Sequence, residues 1–342
     1  MRLYNCQNCS NNVHFENTAC LSCGFDLGYA AIADEMLSKP FGDDVWQTNT
    51  GIYRRCANRA TIACNWVSAD DGDPLCISCR HSRVIPDLNI LENRQRWELL
   101  EHAKRMLFYA LQKFGLLQKA ENISVNALIF EFMADRLPMG EADGKVLTGH
   151  HNGLITINIA EADDDVREAR RKAMNEPYRT LIGHFRHEVG HYYWDLLLAD
   201  ETRRADFRTL FGDERADYTA ALEAHYAHGA PAFWEQNYVS AYATSHPWED
   251  FAETWAHCFH MVDGLETAQE YGVLGHSGAF VAINPYLEQD FRQLHDEWIP
   301  LTVALNAVNR SIGNRDFYPF VLSQTIFDKL NFVHQLIHSS RN

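Results

Sequence analysis

The stretch GHFRHEVGHYYWDLL, residues 183–197, contains three histidines and a glutamate within eight residues. His187 and His191 are four residues apart, so in a helix their rings lie on one face, about one turn apart. Two imidazoles in that arrangement can bind one zinc ion. Glu188 would then lie beside the metal, where its carboxylate can accept a proton from a bound water. The spacing therefore predicts half of a catalytic metal site.

The pattern needs support from its surroundings, because H-E-x-x-H occurs by chance in about one chain in twenty of this length. That support comes from two stripes that run along the same predicted helix. The apolar stripe consists of Leu181, Phe185, Val189, Tyr192 and Leu196, and the polar stripe of His184, His187, His191 and Asp195. A helix with a buried back and a polar front is what a catalytic cleft requires.

Two further polar residues lie next to the pair of histidines. His184 is a rival metal ligand, but a histidine that lines the cleft or forms a hydrogen bond is the simpler interpretation. Asp195 follows His191 by four residues and would orient its ring from outside the metal's ligand set. A solvated carboxylate near the end of the helix explains Asp195 equally well.

A catalytic zinc normally has three protein ligands and one open position. The sequence continues as HYYWDLL after the second histidine, so the HExxHxxGxxH pattern is absent and the third ligand must come from elsewhere. The best source is YATSHPWEDFAETWAHCFH, residues 242–260. There Glu249, Glu253 and His257 fall on one helical face at intervals of four. The spacing leaves Glu249, Glu253 and His246 open as the third ligand.

Nine cysteines in a chain without signs of secretion indicate metal or thiol chemistry rather than disulfides, and eight of them precede residue 80. Cys6 and Cys9 form one C-x-x-C pair, and Cys20 and Cys23 form a second. Two such turns complete a tetrahedron of thiolates. Gly24 supplies the left-handed conformation that the second turn often needs. We therefore predict a structural zinc site. The ninth cysteine, Cys258, is predicted to lie in the core.

A second, looser set consists of Cys56, Cys64, Cys76 and Cys79. The alternative is that the first two are small buried apolar residues, as free cysteines often are. The polar segment DDGDP within the set is a poor core builder, which favours a second zinc. Four-thiolate sites have no open position and hold structure rather than catalyse. One or two such sites would also explain how roughly eighty residues with few apolar clusters fold.

Composition limits the possible functions. The net charge of −16 disfavours nucleic-acid binding, and residues 1–85 alone carry seven Lys/Arg against nine Asp/Glu. No run of eighteen apolar residues predicts a membrane span, and the first residues lack the apolar core of a signal peptide. We therefore expect a cytoplasmic protein with a peptide or protein substrate, and with no membrane or nucleic-acid partner.

The remaining pattern predicts an α+β protein. An amphipathic helix is expected over 93–114, a strand within SVNALIFEFMAD, and two strands in GKVLTGHHNGLITINIA joined at His151-Asn152-Gly153. A charged helix follows, and the rest is mostly helical. We predict two domains. A zinc-ribbon region spans residues 1–88 and a mainly helical domain with a small sheet spans residues 89–342.

Several motifs occur together in the order of a known family. The paired cysteine motifs, then CANRATIACNW and CISC, then GHFRHEVGHYYW and HPWEDFAETWAH, resemble bacterial zinc-binding metallopeptidases that carry a zinc ribbon. The resemblance covers nearly the whole chain. It implies a zincin-type catalytic domain that hydrolyses a peptide bond with one catalytic zinc. An alternative from another class is a zinc-organised protein-binding module with weak or no peptidase activity, whose ribbons recruit a partner. The presence of Glu188 favours the enzyme.

A more distant resemblance concerns the mechanism. Gluzincins of the anthrax lethal factor and Pro-Pro endopeptidase type have a glutamate ligand on a later helix, a second glutamate four residues on, and a tyrosine seven residues before the first. By that likeness Glu249 is the third ligand, Glu253 contacts a ligand histidine, and Tyr242 donates to the oxyanion. An ordinary packed aromatic is the alternative for Tyr242.

This chain departs from the gluzincin pattern in one respect. Residues 191 and 249 differ by 58 positions, which leaves room for an insertion that contains FGDERADYTAALEAHYAHGAP. The same likeness suggests that the strand GLITINI lies along the cleft and pairs with an extended substrate.

Overall fold

The structure, a computed structural model, describes residues 1–42, 44–49, 51–69, 72–117, 127–135, 146, 148–173, 180–273 and 283–341. The chain divides into two compact units. The first consists of Met1–Lys113 with Leu117–Asp164, and the second of Phe114–Leu116 with Asp165–Asn342. The predicted domain boundary near residue 88 stays a prediction, because compact packing and independent folding are different properties.

The first unit begins with short antiparallel strands separated by turns. Strand β1 (Leu3–Asn5) pairs with β2 (Asn12–His14), and β3 (Asp26–Ala30) pairs with β4 (Glu35–Lys39). A three-stranded sheet follows, made of β5 (Val45–Thr48), β6 (Gly51–Arg55) and β7 (Val67–Ala69), with the four-residue helix α1 (Arg59–Ile62) between the last two. Strands this short bury little apolar surface, so such a region needs additional cross-links to fold.

A second sheet of the same unit has four strands in the order β10-β11-β9-β8. They are β8 (Ser82–Val84), β9 (Ile129–Met133), β10 (Gly149–His151) and β11 (Leu154–Asn158). The hairpin between β10 and β11 is the predicted one, because Asn152 and Gly153 both have positive φ angles, 48° and 86°. Strand β9 lies within the predicted segment, whose first three residues are outside the described part of the chain.

The long helix α2 (Leu91–Lys113) confirms the amphipathic helix predicted over 93–114. A partly buried network ties its end to the turn between β3 and β4. Asp34 accepts hydrogen bonds from the Tyr4 hydroxyl at 2.8 Å, the Tyr29 hydroxyl at 3.0 Å and the Lys113 ammonium at 2.8 Å. Burial alone would raise the pKa of Asp34, but these bonds hold it below its ordinary value. The network therefore favours the charged carboxylate.

The chain continues as helices, whose bounds are α3 (Asp164–Ala173), α4 (Leu181–Leu197), α5 (Glu201–Phe211), α6 (Tyr218–His228), α7 (Pro247–Glu270), α8 (Phe291–Ser311) and α9 (Gln324–Ser339). Helices α4 and α7 pack closely at Gly190. A Cβ atom built there would lie 3.0 Å from the Ala252 Cα and 3.3 Å from the Trp255 Cβ. Glycine therefore permits a backbone approach that any side chain would obstruct.

The predicted fold class is confirmed. A cysteine-rich N-terminal region with short strands precedes a mostly helical region, and the sheets are small. Among the described residues, no helix combines the length and apolar content that crossing a membrane requires.

Candidate metal centre

Helix α4 carries the two histidines of the first motif. Its N-cap is Thr180, whose side chain accepts a hydrogen bond from the Gly183 amide. His187 and His191 are both buried on this helix, and their Nε2 atoms are 3.2 Å apart. The sequence thus places both imidazoles on one helical face, as their spacing predicts.

Helix α7 brings a carboxylate to the same point. Pro247 occupies its first turn, and His246 caps it by accepting a hydrogen bond from the Trp248 amide. Oε2 of Glu249 lies 3.0 Å from Nε2 of His187 and 3.5 Å from Nε2 of His191. Ligand atoms about 2.0–2.1 Å from a tetrahedral zinc would be roughly 3.3 Å apart. The three side chains therefore fit one zinc ion.

The surroundings of Glu249 support this fit. Its Oε2 is buried and has no hydrogen-bond partner among the described residues, although two imidazole nitrogens lie nearby. Burial alone would raise the pKa of Glu249, but the charges of His191 and His187 hold it well below its ordinary value. An unsatisfied buried carboxylate oxygen aimed between two imidazoles is the arrangement expected where a cation binds.

Glu253 lies one turn further along α7 and contacts the other side of the His187 ring. Its Oε1 is 2.7 Å from His187 Nδ1, and its Oε2 accepts a hydrogen bond from the Ser240 hydroxyl at 2.6 Å. A carboxylate at Nδ1 fixes the ring so that Nε2 points away from it. The contact between Glu253 and His187 is the one that the gluzincin resemblance implies, whereas Ser240 was not foreseen.

Glu188 is buried beside the histidines. His184 Nε2 lies 3.1 Å from Glu188 Oε1, so His184 is hydrogen-bonded to the glutamate, in line with the simpler interpretation of that residue. Burial alone would raise the pKa of Glu188, but the bond to His184 and the nearby charge of His187 lower it below its ordinary value. The carboxylate is thus held in its proton-accepting form.

Three aromatic side chains surround the centre. The Tyr242 ring lies 5.9 Å from that of His187, and the Trp248 ring lies 3.9 Å from that of His191. The third is Tyr218, whose hydroxyl donates to Oε1 of Glu249 at 2.7 Å. Sequence reasoning missed Tyr218, because it begins a helix inside the insertion and no spacing rule connects it to Glu249.

Other predicted residues lie apart from the centre. His246 caps α7, which uses its Nδ1, and its Nε2 is 3.2 Å from the Ala216 carbonyl oxygen. His257 is buried and contacts the Tyr318 hydroxyl at 3.1 Å. Asp195 is exposed on α4, and its role as an orienting residue stays a prediction. Cys258 lies in the core, as predicted.

The first four cysteines come together in the N-terminal region. Their sulfur atoms lie within 4.8 Å of one another, with Sγ–Sγ distances of 3.7 Å for Cys6 and Cys23 and 3.6 Å for Cys9 and Cys20. Four sulfurs about 2.3 Å from a tetrahedral zinc would be roughly 3.8 Å apart. Gly24 has a φ of 74°, as its predicted turn requires. The cluster therefore fits a closed zinc site.

The looser set forms a second cluster of the same size. Cys64 Sγ lies 3.7 Å from that of Cys76 and 3.8 Å from that of Cys79. The Cys76 amide donates to Cys56 Sγ at 3.4 Å, which favours a thiolate at that sulfur. All four are buried. Cys56 and Cys64 thus share one cluster with the C-x-x-C pair rather than lying separately in an apolar core.

Comparison with known proteins agrees with these clusters. Residues 93–336 match the family described as "Putative zinc-binding metallo-peptidase", and residues 3–90 match a zinc-ribbon domain. The first match covers well over half of the chain. The chain belongs to this zinc-binding metallo-peptidase family.

Three relatives are similar over nearly their whole length. One protein of Mycobacterium bovis and one from each of two strains of Mycobacterium tuberculosis are 40% identical to this chain over 342 residues, or 98% of this chain and 95% of each relative. Each is described only as uncharacterised. No solved structure was found to match the chain. The family resemblance inferred from the motifs is therefore confirmed, and these relatives add no activity to it.

Proposed function

We propose that the protein is a zinc-dependent peptidase that hydrolyses a peptide bond at the centre formed by His187, His191 and Glu249. One observation carries the proposal. Three ligand atoms from two helices converge at distances suited to zinc, and the buried Glu188 directly follows His187 on one of these helices. The family description supports a metallo-peptidase, and the substrate class is a peptide or protein.

The three side chains would hold the metal through Nε2 of both histidines and Oε2 of Glu249. A zinc ion bound there would lower the pKa of a water towards about 7 and would polarise a substrate carbonyl. Glu253 orients the His187 ring through its contact with Nδ1. Tyr218 donates a hydrogen bond to Oε1, the other oxygen of Glu249. Each ligand is thus held by a second contact, which limits its freedom to rotate.

Glu188 would move the proton. Its carboxylate accepts a proton from the attacking water and later delivers it to the nitrogen of the leaving amine. His184 holds one of its oxygens at 3.1 Å, which leaves the other free for that exchange. Burial of the carboxylate keeps bulk water away from the proton as it moves.

Tyr242 would donate a hydrogen bond from its hydroxyl to the oxyanion that develops on the substrate carbonyl. Its ring neighbours His187, and burial first, then the charge of Glu249, raise the pKa of Tyr242 well above its ordinary value. A phenol with a raised pKa stays protonated and is therefore available as a donor.

The two four-cysteine clusters would each hold one structural zinc and organise the region over residues 1–88. Their closed ligand sets provide no position for a substrate. The predicted pairing of the strand GLITINI with an extended substrate does not fit the sheet, because β11 is already hydrogen-bonded to β10 on one side and to β9 on the other.

The test is incubation of the zinc-loaded protein with a diverse peptide library, with Glu188→Gln as the matched control. The substitution keeps the size of the side chain and its bond to His184 but removes the base. We expect cleavage by the wild type to fall by at least about 10²-fold in the variant. Equal cleavage by both would indicate a contaminant, and no cleavage by either would favour a protein-binding module.

A further inference from the structure

The metal centre is nearly closed to solvent. His187, Glu188 and Glu249 are only 8%, 6% and 1% exposed. A peptide has to reach the proton acceptor and the open side of the metal, and these buried side chains offer it little exposed surface. A neighbouring element that can move would widen this approach.

Helix α6 has the properties of a movable element. None of its residues is buried, so little apolar surface holds it in place. Asp217 caps it by accepting a hydrogen bond from the Ala220 amide, so the helix has its own local stabilisation. Its attachments combine ring contacts, of Tyr218 with His246 and Trp248 and of His225 with Tyr242, with polar contacts. His225 Nδ1 lies 3.2 Å from the Thr244 hydroxyl, and Tyr218 reaches the metal centre directly.

The contact made by Tyr218 joins this helix to a metal ligand. Its hydroxyl donates a hydrogen bond to Oε1 of Glu249 at 2.7 Å, and the other oxygen, Oε2, faces the two histidines. Its ring also lies 5.8 Å from that of Trp248, which packs on His191. One side chain of an exposed helix therefore determines which carboxylate oxygen is presented to the metal.

We propose that α6 is a lid over the metal centre and that Tyr218 latches it through Glu249. In the closed state Tyr218 acts as a positioning residue, which holds Glu249 as a ligand through a single oxygen. When the lid opens to admit a substrate, Oε1 loses its hydrogen bond from Tyr218 and would become available to a metal together with Oε2. This inference rests on the zinc site proposed above.

The test compares Tyr218→Phe with Tyr226→Phe in the full chain. Tyr226 lies on the same helix and is 62% exposed, so it is a matched control. Phenylalanine at 218 keeps the ring beside Trp248 and removes only the hydroxyl. The first measurement is amide hydrogen exchange of residues 218–228 in the zinc-loaded protein. We expect exchange to be faster by about tenfold in Tyr218→Phe, as one lost bond of about 1.4 kcal/mol allows, and unchanged in Tyr226→Phe.

The second measurement is the visible absorption of the centre after replacement of its zinc by cobalt(II), which reports coordination number and needs no substrate. Oε1, released in Tyr218→Phe, is expected to bind as a second oxygen and weaken the absorption, whereas Tyr226→Phe should match the wild type. Zinc affinity is expected to fall about tenfold in Tyr218→Phe alone.

Several results would overturn the proposal. Identical exchange rates in the two variants would show that Tyr218 does not hold the helix in place. An unchanged cobalt spectrum in Tyr218→Phe would show that Tyr218 does not position Glu249. Both outcomes are distinct from failure of the proposed function. That failure would appear in the wild type, as metal binding that does not depend on His187 and His191.

Discussion

At the scale of single residues, the proposed centre depends on contacts that hold those atoms of its proposed ligands that face away from the metal position. Glu253 holds Nδ1 of His187, and Tyr218 holds Oε1 of Glu249. Each contact selects which atom of the ligand faces the common point. The remaining atoms, Nε2 of His187 and Oε2 of Glu249, lie 3.0 Å apart. Among the described residues, this buried oxygen has no hydrogen-bond partner. The site is therefore preorganised for a cation before one binds.

Replacement of Glu253 tests this preorganisation. Glu253→Gln keeps an acceptor for the imidazole but removes the charge, and we expect zinc affinity at this centre to fall by about tenfold. Glu253→Ala removes both the acceptor and the charge, and we expect it to lower the zinc affinity by up to about 100-fold. Competition with a chelator of known affinity measures the loss, and Glu270→Ala at the exposed end of the same helix is the control. Wild-type affinity in Glu253→Ala would contradict an orienting role.

His334 provides a prediction about pH. Burial first, then the charge of His338, lowers the pKa of His334 to about 3. An unfolded histidine titrates near about 6.5, so between these values the unfolded chain binds a proton that the folded chain does not. Stability is therefore lost as the pH falls below about 6.5, by about 1 kcal/mol at pH 5.5.

In the variant His334→Gln the side chain is uncharged at both pH 7.5 and pH 5.5. The variant should therefore not show the part of the stability loss that comes from His334. The urea midpoints of wild type and variant, measured at pH 7.5 and 5.5, give the comparison, with the exposed His228→Gln as control. If the wild type and His334→Gln lose equal stability on acidification, burial of a neutral His334 makes no contribution.

At the scale of elements, the centre requires that α4 and α7 lie close together. Gly190 is the contact point, because a Cβ there would meet the backbone of Ala252 at 3.0 Å. Gly190→Ala should force the helices apart, move Glu249 from the histidines, and destabilise the fold by about 1–3 kcal/mol. The midpoint temperature of thermal unfolding and the zinc affinity should both decrease. Gly149→Ala, whose added Cβ meets nothing within 4 Å, should change neither; wild-type zinc affinity in Gly190→Ala would contradict this account.

The elements also show which parts of the centre can be predicted from sequence. The pair His187 and His191 follows from helical periodicity, and the β10–β11 hairpin follows from an Asn-Gly turn. Glu249 can be predicted as the third ligand only through the gluzincin resemblance, because helical spacing alone does not distinguish it from Glu253. Tyr218 and Ser240 belong to no such pattern, since their contacts depend on how an insertion and a short turn fold over α7.

At the scale of the whole molecule, the two kinds of metal site have different consequences for folding. The four-cysteine clusters lie among strands of three to five residues, where zinc binding would supply much of the free energy of folding. The centre of His187, His191 and Glu249 lies between two long helices, and the Tyr193 and Trp255 rings of these helices stack with their centroids 5.0 Å apart. Those helices have an apolar core of their own, so the fold there does not require the ion.

Zinc content should therefore separate the two kinds of site. We expect three ions per chain in the wild type and two in His187→Ala/His191→Ala, with the secondary structure of that variant retained in circular dichroism. In Cys6→Ser/Cys9→Ser we also expect two ions, but with residues 1–40 open to limited proteolysis, because that region loses its cross-link. Elemental analysis after dialysis measures the content. Two ions in both the wild type and the histidine variant would show that no separate zinc binds between α4 and α7.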